Sequence, residues 1–309
     1  MGWLALIGLW LLANLLIAPW VIERARAEMN SALRHDAPGG FVKLSQGITH
    51  YEWHGRGKGP LVVMIHGLTT PSWVFAALIP GLTAMGFRIL TYDLYGRGYS
   101  DRPEGAQDAA FFLTQLEDLL QALEIDEELS LFGYSMGGAI ATAYAARHKD
   151  RVDRLMLLAP AGMIYHTGAL LKRCAAWGKV GDWIWDCLGG WELRRVAVRE
   201  AETAQIPNLA ERVRDETGTR GYLRAILSSE RHMLSTTQEA EHRAIAKTHI
   251  AVISVWAEKD IPILLSAMGK LTEWNRKCYK YEIKGAGHGL GYTHPDEVID
   301  ALREHLREV

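Results

Sequence analysis

Short, almost wholly apolar runs alternate along the chain with longer stretches of helical character, and this alternation constrains the fold more than any other feature. The runs LVVMI at residues 61–65 and LMLLA at residues 155–159 contain no polar side chain. Such runs are typical of strands covered on both faces, as in parallel sheets. The sequence therefore predicts a mostly parallel central sheet flanked by helices. The predicted strands are residues 48–53, 61–65, 88–92, 129–132, 154–159, 250–256 and 278–283.

The predicted helices occupy the intervals between these strands. They are residues 74–85, 109–123, 136–147, 264–275 and 295–308. Between residues 161 and 246 no strand is evident, and the segment is helical in character and rich in tryptophan. We therefore predict an α/β core formed by residues 29–160 and 247–309, with residues 161–246 inserted as a helical cap.

The first 22 residues contain no charged side chain. About 20 apolar residues are enough to cross a bilayer as a helix. Trp3 and Trp20 lie near the two ends of the run, where indole rings favour the membrane interface. We predict that residues 1–28 are a single membrane anchor. A cleaved signal peptide is the alternative, because the ARA sequence at residues 25–27 resembles a cleavage site, although no positive side chain precedes the apolar run.

Charge and cysteine content bear on location and partners. Arg24, Arg26 and Arg34 follow the apolar run, which by the positive-inside rule predicts a cytoplasmic-facing catalytic domain. The 309 residues carry a formal net charge of -2, which argues against a nucleic-acid partner. The three cysteines have no CxxC spacing, so we expect free thiols, with a Cys174–Cys187 disulfide as the alternative in an oxidising compartment.

A serine lies in the sequence GYSMGG at residues 133–138, between a predicted strand and a predicted helix. A sharp strand-to-helix turn of the form GxSxG holds its serine in a strained conformation with the hydroxyl exposed. The residues two before and two after must be small, because side chains there would collide with the turn. This context predicts that Ser135 is a nucleophile.

A serine hydroxyl needs an adjacent base, and the base needs a carboxylate that fixes its tautomer. His288 lies in the glycine-rich sequence GAGHG after the last predicted strand. Asp260 follows the preceding predicted strand in WAEKD, and Glu258 in the same sequence is the competing carboxylate. The order Ser135, Asp260, His288 is the chain order of catalytic triads in α/β enzymes with this kind of turn.

Two backbone N–H groups are needed where negative charge develops on the substrate oxygen. We expect one from Met136, which follows the nucleophile, and one from Leu68, in the sequence HGL after the strand at residues 61–65. His66 is expected to brace this loop rather than to react. This chemistry requires neither a cofactor nor a metal.

These motifs resemble the successive motifs of the α/β-hydrolase superfamily: HGL at residues 66–68, DLYGRGYSDRP at residues 93–103, GYSMGG at residues 133–138, WAEKD at residues 256–260 and GAGHG at residues 285–289. The resemblance is greatest to the branch of esterases and monoacylglycerol lipases. It implies the same roles for Ser135, Asp260 and His288, and a structural turn at residues 93–100. Branches of the superfamily that displace halide or open epoxides carry aspartate in place of Ser135, whereas hydrolases of carbon–carbon bonds keep the serine.

The cap and the anchor together suggest an amphiphilic substrate. We expect Trp73, Met163, Trp183 and Trp185 to contact an acyl chain, because substrate pockets are mostly apolar. The predicted function is a membrane-anchored serine hydrolase that cleaves carboxylic esters of amphiphilic or lipid-like substrates. A serine-dependent hydrolase of carbon–carbon bonds or lactones is the alternative, and a non-catalytic scaffold is a third.

Overall fold

One mixed sheet forms the centre of the protein. The computed structural model describes residues 2–56 and 59–306. The strands of the sheet are β1 (Gly40–Lys43), β2 (Ile48–His54), β3 (Leu61–Ile65), β4 (Arg88–Tyr92), β5 (Leu129–Tyr134), β6 (Val152–Leu158), β7 (Ala251–Ala257) and β8 (Tyr279–Ile283). They lie in the order β1-β2-β4-β3-β5-β6-β7-β8. Strands β3 to β8 pair in parallel, whereas β1 pairs with β2, and β2 with β4, in antiparallel fashion. The predicted mostly parallel sheet is confirmed.

All seven predicted strands are present, with ends that differ by at most two residues. The strand that the sequence analysis missed is β1, which pairs Phe41 with His50 at the edge of the sheet. Successive residues of β3 point to opposite faces, so Val62 and Met64 belong to a different core cluster from Leu61, Val63 and Ile65. This burial on both faces explains why β3 has no polar residue.

Helices cover both faces of the sheet. The helices that belong to the core are α2 (Ser31–Arg34), α3 (Ile79–Ala84), α4 (Ala109–Ala122), α5 (Met136–Arg147), α11 (Ser266–Trp274), α12 (Leu290–Thr293) and α13 (Pro295–Leu306). The helix predicted at residues 74–85 is instead a 3₁₀ turn, Ser72–Phe75, followed by α3. Pro80 explains the break, because proline lacks an N–H and is tolerated only in the first turn of a helix. Residues 307 and 308 of the last predicted helix lie outside the described residues.

Five helices lie between β6 and β7. They are α6 (Ala169–Ala176), α7 (Gly178–Glu200), α8 (Leu209–Thr217), α9 (Tyr222–Arg231) and α10 (Glu239–Ile245). Helices α6, α7 and α9 enclose a small apolar cluster of their own, which includes Leu171, Trp185, Tyr222 and Ile226. The three cysteines are free, so the alternative of a Cys174–Cys187 disulfide is wrong.

The N-terminal helix α1 (Gly2–Ala25) stands apart from this packing. Its most apolar 18-residue window has a mean hydropathy of 2.1 and none of it is buried. By length and composition it is a candidate membrane span, a test that a signal sequence also passes. Its contacts with the rest of the protein lie in its C-terminal half: the Leu15 carbonyl oxygen accepts a hydrogen bond from Trp183, and the buried Glu23 accepts one from the Gly221 N–H.

Helix α10 buries a histidine without a hydrogen-bond partner. Both ring nitrogens of His242 are unpaired among the described residues, and the ring stacks on Trp274. Burial lowers the pKa of His242 from its ordinary 6.5 to about 4. As the pH falls, the unfolded chain therefore takes up this proton before the folded protein does, and the free energy of unfolding decreases between pH 6.5 and pH 4.

We expect His242→Leu to remove this part of the pH dependence. The contribution of a shift this large is on the order of 3 kcal/mol between neutral pH and pH 4. Since the ring has no hydrogen bond to lose, the variant should be at least as stable as the parent at pH 5. The measurement is a denaturant titration of the full chain in detergent at pH 7 and pH 5. A variant with the parent's pH dependence would contradict this interpretation.

Candidate active site

A strained turn holds Ser135 between β5 and α5. Its φ of 54° and ψ of -118° are unusual for a residue with a side chain. Glycines allow the close packing around it. A Cβ on Gly137 would lie 1.9 Å from the Ile65 carbonyl oxygen, and a Cβ on Gly133 would lie 2.5 Å from the Gly137 oxygen. These contacts explain the glycines of the GYSMGG sequence, because any larger residue would push the turn away from β3.

The structure brings Ser135, His288 and Asp260 into one hydrogen-bonded series. The His288 Nε2 lies 3.0 Å from the Ser135 Oγ, and the Nδ1 lies 2.8 Å from an Asp260 carboxylate oxygen. Since a carboxylate only accepts, the His288 Nδ1–H donates to Asp260, and the Nε2 is left to accept the proton of the Ser135 hydroxyl. This arrangement equips the hydroxyl to attack an electrophilic carbon.

The two candidate carboxylates have different surroundings. The Asp260 side chain is buried, and its other oxygen accepts a hydrogen bond of 2.7 Å from the Ile263 N–H. Glu258 is exposed, accepts a hydrogen bond from the Gly285 N–H and forms an ion pair with Lys284. Glu258 therefore braces the loop that carries His288 and does not contact the imidazole itself.

The loop after β3 passes directly over the nucleophile. A Cβ on Gly67 would lie 3.2 Å from the Ser135 Cβ. Neither the Leu68 N–H nor the Met136 N–H donates to another described residue, so both are available to an oxygen bound beside Ser135. Their role as the two donors to a substrate oxygen stays a prediction of the sequence analysis.

His66 braces this loop, as predicted. Its Nδ1–H donates to the Gly67 carbonyl oxygen at 2.9 Å, and its Nε2 accepts from the Leu94 N–H at 2.8 Å. Burial lowers the pKa of His66 to about 4, which keeps the ring neutral at physiological pH. A neutral ring is required because the Nε2 must remain an acceptor.

A buried arginine that the sequence analysis did not single out ties the loop to the cap. The Arg97 Nε donates to the Leu68 carbonyl oxygen at 3.0 Å, and its Nη2 donates to the Ser229 hydroxyl of α9 at 2.8 Å. Tyr222, also on α9, donates to the Thr69 carbonyl oxygen at 2.6 Å. The cap and the loop that carries Leu68 are therefore fixed to each other. The arginine lies inside the DLYGRGYSDRP sequence, which was interpreted only as a turn.

A pair of tyrosines supports the loop of His288. The Tyr134 hydroxyl donates to the His288 carbonyl oxygen at 2.9 Å, and the Tyr292 hydroxyl donates to Glu200, the last residue of α7, at 2.8 Å. Burial raises the pKa of both tyrosines well above 10, so both hydroxyls stay protonated. Tyr134 stands at the variable position of GxSxG, where sequence alone gives no reason to expect such a contact.

The four predicted substrate contacts lie in different surroundings. Trp73 packs partly buried on the core with Arg212 over its ring, and Met163 packs partly buried against the core cluster beside the nucleophile turn. The Trp183 Nε1–H donates to the Leu15 carbonyl oxygen of α1 at 3.0 Å. Trp185 is buried inside the cap and donates to the Leu223 carbonyl oxygen. This burial does not support a substrate contact for Trp185, because the cap's own packing accounts for its side chain.

Two clefts on the surface lie away from Ser135, His288 and Asp260. One cleft of about 280 Å³ is lined by Met85, Phe87 and Leu306, and another of about 680 Å³ by Glu117, Tyr144 and His148. Neither contains a residue of the hydrogen-bonded series. Within residues 2–56 and 59–306, no cluster of three or more His, Cys, Asp or Glu side chains could ligate a metal ion.

Comparison with known sequences identifies the fold and several relatives. The family described as "alpha/beta hydrolase fold" matches residues 60–180. A 2-hydroxymuconate semialdehyde hydrolase of a Pseudomonas species is 38% identical over 128 residues, which are 40% of this chain and 44% of the relative. A haloalkane dehalogenase of Mycobacterium marinum is 34% identical over 110 residues, 35% of this chain and 37% of the relative. The chain thus matches less than half the length of these curated relatives.

Solved structures match a larger part of the chain at lower identity. The enol-lactonase of Burkholderia xenovorans superposes with a TM-score of 0.71 at 20% identity, covering 87% of this chain and 100% of that structure. A thermophilic esterase of Thermogutta terrifontis superposes with a TM-score of 0.68 at 19% identity, covering 87% and 99%. These matches show that the fold of this chain is shared with solved structures over 87% of its length.

We expect Tyr134→Phe to slow the reaction of Ser135 with a fluorophosphonate probe by about two- to tenfold, because one hydrogen bond is worth ~0.5–1.5 kcal/mol. Without this donor the loop of His288 is held less firmly over the nucleophile. Tyr95→Phe is the matched control, since its hydroxyl donates to the Gly47 carbonyl oxygen at 3.1 Å, in contact with none of the three residues. Equal labelling rates in the two variants would show that Tyr134 has no positioning role.

Proposed function

We propose that the chain is a serine hydrolase of the α/β-hydrolase superfamily with Ser135 as its nucleophile. The observation that carries the proposal is the hydrogen-bonded series from the Ser135 hydroxyl through His288 to Asp260. A structural role does not require a serine in a strained turn beside two unused backbone N–H groups. Strain of this kind costs about 1–3 kcal/mol, which is retained mainly where function needs the geometry.

The proposed reaction is ester hydrolysis in two steps. The Ser135 Oγ attacks the acyl carbon while the His288 Nε2 takes the hydroxyl proton, and Asp260 stabilises the resulting imidazolium. The N–H groups of Leu68 and Met136 stabilise the oxyanion. The C–O bond then breaks, and the alcohol leaves with the proton from His288. Water loses a proton to the same nitrogen as it attacks the acyl-enzyme, and the acid is released with Ser135 restored.

We propose that the esters are amphiphilic or lipid-like and that α1 anchors the enzyme in a membrane. The fully exposed apolar surface of α1 supports an anchor, since such a surface is unfavourable in water. Met163 and Trp73 are partly buried side chains that pack on the core, and we keep them as candidates for contacts with an acyl chain. By the positive-inside rule, Arg24, Arg26 and Arg34 favour a cytoplasmic-facing catalytic domain.

Halide displacement is not proposed, although a haloalkane dehalogenase is among the relatives. Attack of the Ser135 hydroxyl on an alkyl halide would give an ether. An ether has no carbonyl carbon for water to attack, so the enzyme would be trapped after one turnover. Turnover through Ser135 therefore requires a covalent intermediate that water can hydrolyse, such as the acyl-enzyme formed from an ester.

A second candidate is the hydrolysis of a carbon–carbon bond or a lactone. The observations that favour it are the relative named as 2-hydroxymuconate semialdehyde hydrolase and the structural match to an enol-lactonase. The same series of residues is chemically suited to both, because each reaction passes through attack on a carbonyl carbon and an oxyanion. A substrate panel separates the candidates.

We expect Ser135→Ala and His288→Ala each to lower kcat/KM for an ester by about 10³-fold or more, because loss of one member disables the whole triad. The panel contains monoacylglycerols of increasing length in detergent micelles, short p-nitrophenyl esters, lactones and a ring-cleavage diketone. Ser235→Ala is the control, since this serine is exposed on the cap. Ester cleavage by Ser135→Ala within about tenfold of the parent would refute the mechanism.

We expect α1 to remain attached to the mature protein. Edman sequencing of the protein isolated from membranes should begin at or near Met1, and the protein should resist extraction with alkaline carbonate. An N-terminus near Glu28 would identify a cleaved signal peptide instead, and the protein would then be recovered in the soluble fraction.

A further inference from the structure

We propose that one face of α7 is a second membrane-contact surface, which holds the cap on the bilayer so that Ser135 takes its substrate from the lipid phase. We call this face the α7 stripe and define it as Trp177, which precedes the helix, together with Val180, Leu188, Trp191 and Val198. The inference rests on the proposed anchor α1. It adds to that proposal that the cap lies on the bilayer surface and that the substrate is an ester dissolved in the bilayer.

The α7 stripe is exposed. Its five side chains are between 48% and 62% exposed. At 3.6 residues per turn, the four positions within the helix fall in a sector of about 80° around its axis. Arg195 lies in the same sector, where its guanidinium stacks over the Trp191 ring and pairs with Glu192. Large apolar side chains aligned in this way are unusual on the surface of a monomeric protein and mark a contact surface.

The charges of α7 are distributed as a membrane surface requires. Its acidic residues have partners within the protein: Asp182 with Arg231, Asp186 with Arg224, Glu192 with Arg195, and Glu200 with Tyr292. Arg194 and Arg199 are exposed on the two sides of the stripe, and neither forms an ion pair among the described residues. Unpaired arginines beside an apolar line suit the anionic headgroups of a bilayer.

The contacts between α1 and α7 determine the depth of α7 relative to the membrane. Trp183 of α7 donates to the Leu15 carbonyl oxygen, in the middle of α1. Near the end of α1, the Arg26 Nη2 donates to the Asp186 carbonyl oxygen of α7 at 2.8 Å. The same junction contains the ion pair of Arg26 with Glu23 and that of Arg220 with Glu28. Helix α7 therefore lies beside the part of α1 between Leu15 and Arg26.

The part of α1 that contacts α7 is expected at the surface of the bilayer. The residues of α1 from Gly2 to Ile17 are exposed, a length of about 24 Å at 1.5 Å per residue, against a hydrocarbon core of about 30 Å. If these residues are inserted, the membrane surface falls between Leu15 and the charged residues Glu23 and Arg24. That interval is where α7 contacts α1, so the stripe lies at the interface.

The same helix reaches the site at its other end. Glu200 accepts the hydrogen bond of Tyr292, and the Tyr292 carbonyl oxygen accepts from the Gln205 N–H at 2.6 Å, just beyond α7. Leu193 packs against both the cap cluster and the core. One rigid helix thus connects the contact with α1 to the segment that follows His288.

The test uses the full chain in vesicles of phosphatidylcholine and phosphatidylglycerol. Each variant carries Cys187→Ser and one introduced cysteine, in place of Leu9, Leu188, Trp191 or Trp53. The buried Cys174 and Cys278 are retained. The introduced cysteine of each variant is labelled with an environment-sensitive fluorophore. Nitroxide lipids then quench labels that lie in the membrane. We expect loss of fluorescence at Leu9, Leu188 and Trp191. Trp53 is the matched control, an exposed apolar residue on β2, and its label should not be quenched.

The label at Leu9 distinguishes the two proposals. Quenching at Leu9 without quenching at Leu188 and Trp191 would overturn the α7 stripe and leave the anchor intact. No quenching at Leu9 would overturn the anchor, and the inference with it. Energy transfer between α7 labels on different copies, without quenching by lipid, would overturn the inference in favour of a second copy of the chain as the occupant.

A kinetic test addresses the route of the substrate and does not require a known ester. For the double variant Leu188→Ser with Trp191→Ser, we expect labelling of Ser135 by a long-chain fluorophosphonate dissolved in the bilayer to slow by about tenfold, since each 1.4 kcal/mol of lost membrane contact is tenfold. Labelling by a short water-soluble probe should be unchanged. Trp53→Ser should affect neither rate. The inference would be overturned if the double variant slowed labelling by both probes equally, or if it slowed labelling by neither probe.

Discussion

The close approach of the nucleophile turn to β3 is the constraint on which the rest of the site depends. Gly137 lies so near the Ile65 carbonyl that no side chain fits between them. That approach fixes Ser135 at the end of the sheet and places the loop of Gly67 and Leu68 over it. Because β3, β5 and β6 are parallel neighbours, the loops at their carboxyl ends meet at the same edge. The positions of His288 and Asp260 follow from the next strands along that edge.

Much of this was accessible from the sequence, for identifiable physical reasons. Strand segments buried on both faces are apolar, so β3 and the segment of β6 from Leu155 to Leu158 could be predicted from the sequence. The glycines around Ser135 are sterically required, so the turn could also be predicted from the sequence. Strand β1 was missed because four residues at a sheet edge, half of them exposed, have no distinctive pattern. The division of the predicted helix at residues 74–85 followed from Pro80, whose effect depends on whether it falls in the first turn.

What sequence could not reveal is contact between distant segments. Arg97, Ser229 and Leu68 are far apart in the chain, yet one buried guanidinium joins them. A charge without water must be surrounded by acceptors, and those acceptors are a carbonyl of the loop, a hydroxyl of the cap and the Gln107 side chain. Such a network fixes the cap at the loop that carries Leu68. Likewise Trp185 looked like a pocket residue because composition does not distinguish a side chain that lines a cavity from one that fills it.

The cap is therefore held by two different kinds of contact. At α9 it is tied to the core by buried hydrogen bonds from Arg97 and Tyr222, which leave little freedom for movement relative to the Leu68 loop. At α7 it contacts α1 and the residue that follows α1 through two hydrogen bonds, from Trp183 to the Leu15 carbonyl oxygen and from Arg26 to the Asp186 carbonyl oxygen. The cap is thus attached to the core on one side and to α1 on the other. If α1 is the membrane anchor proposed above, its orientation in a bilayer also orients Ser135.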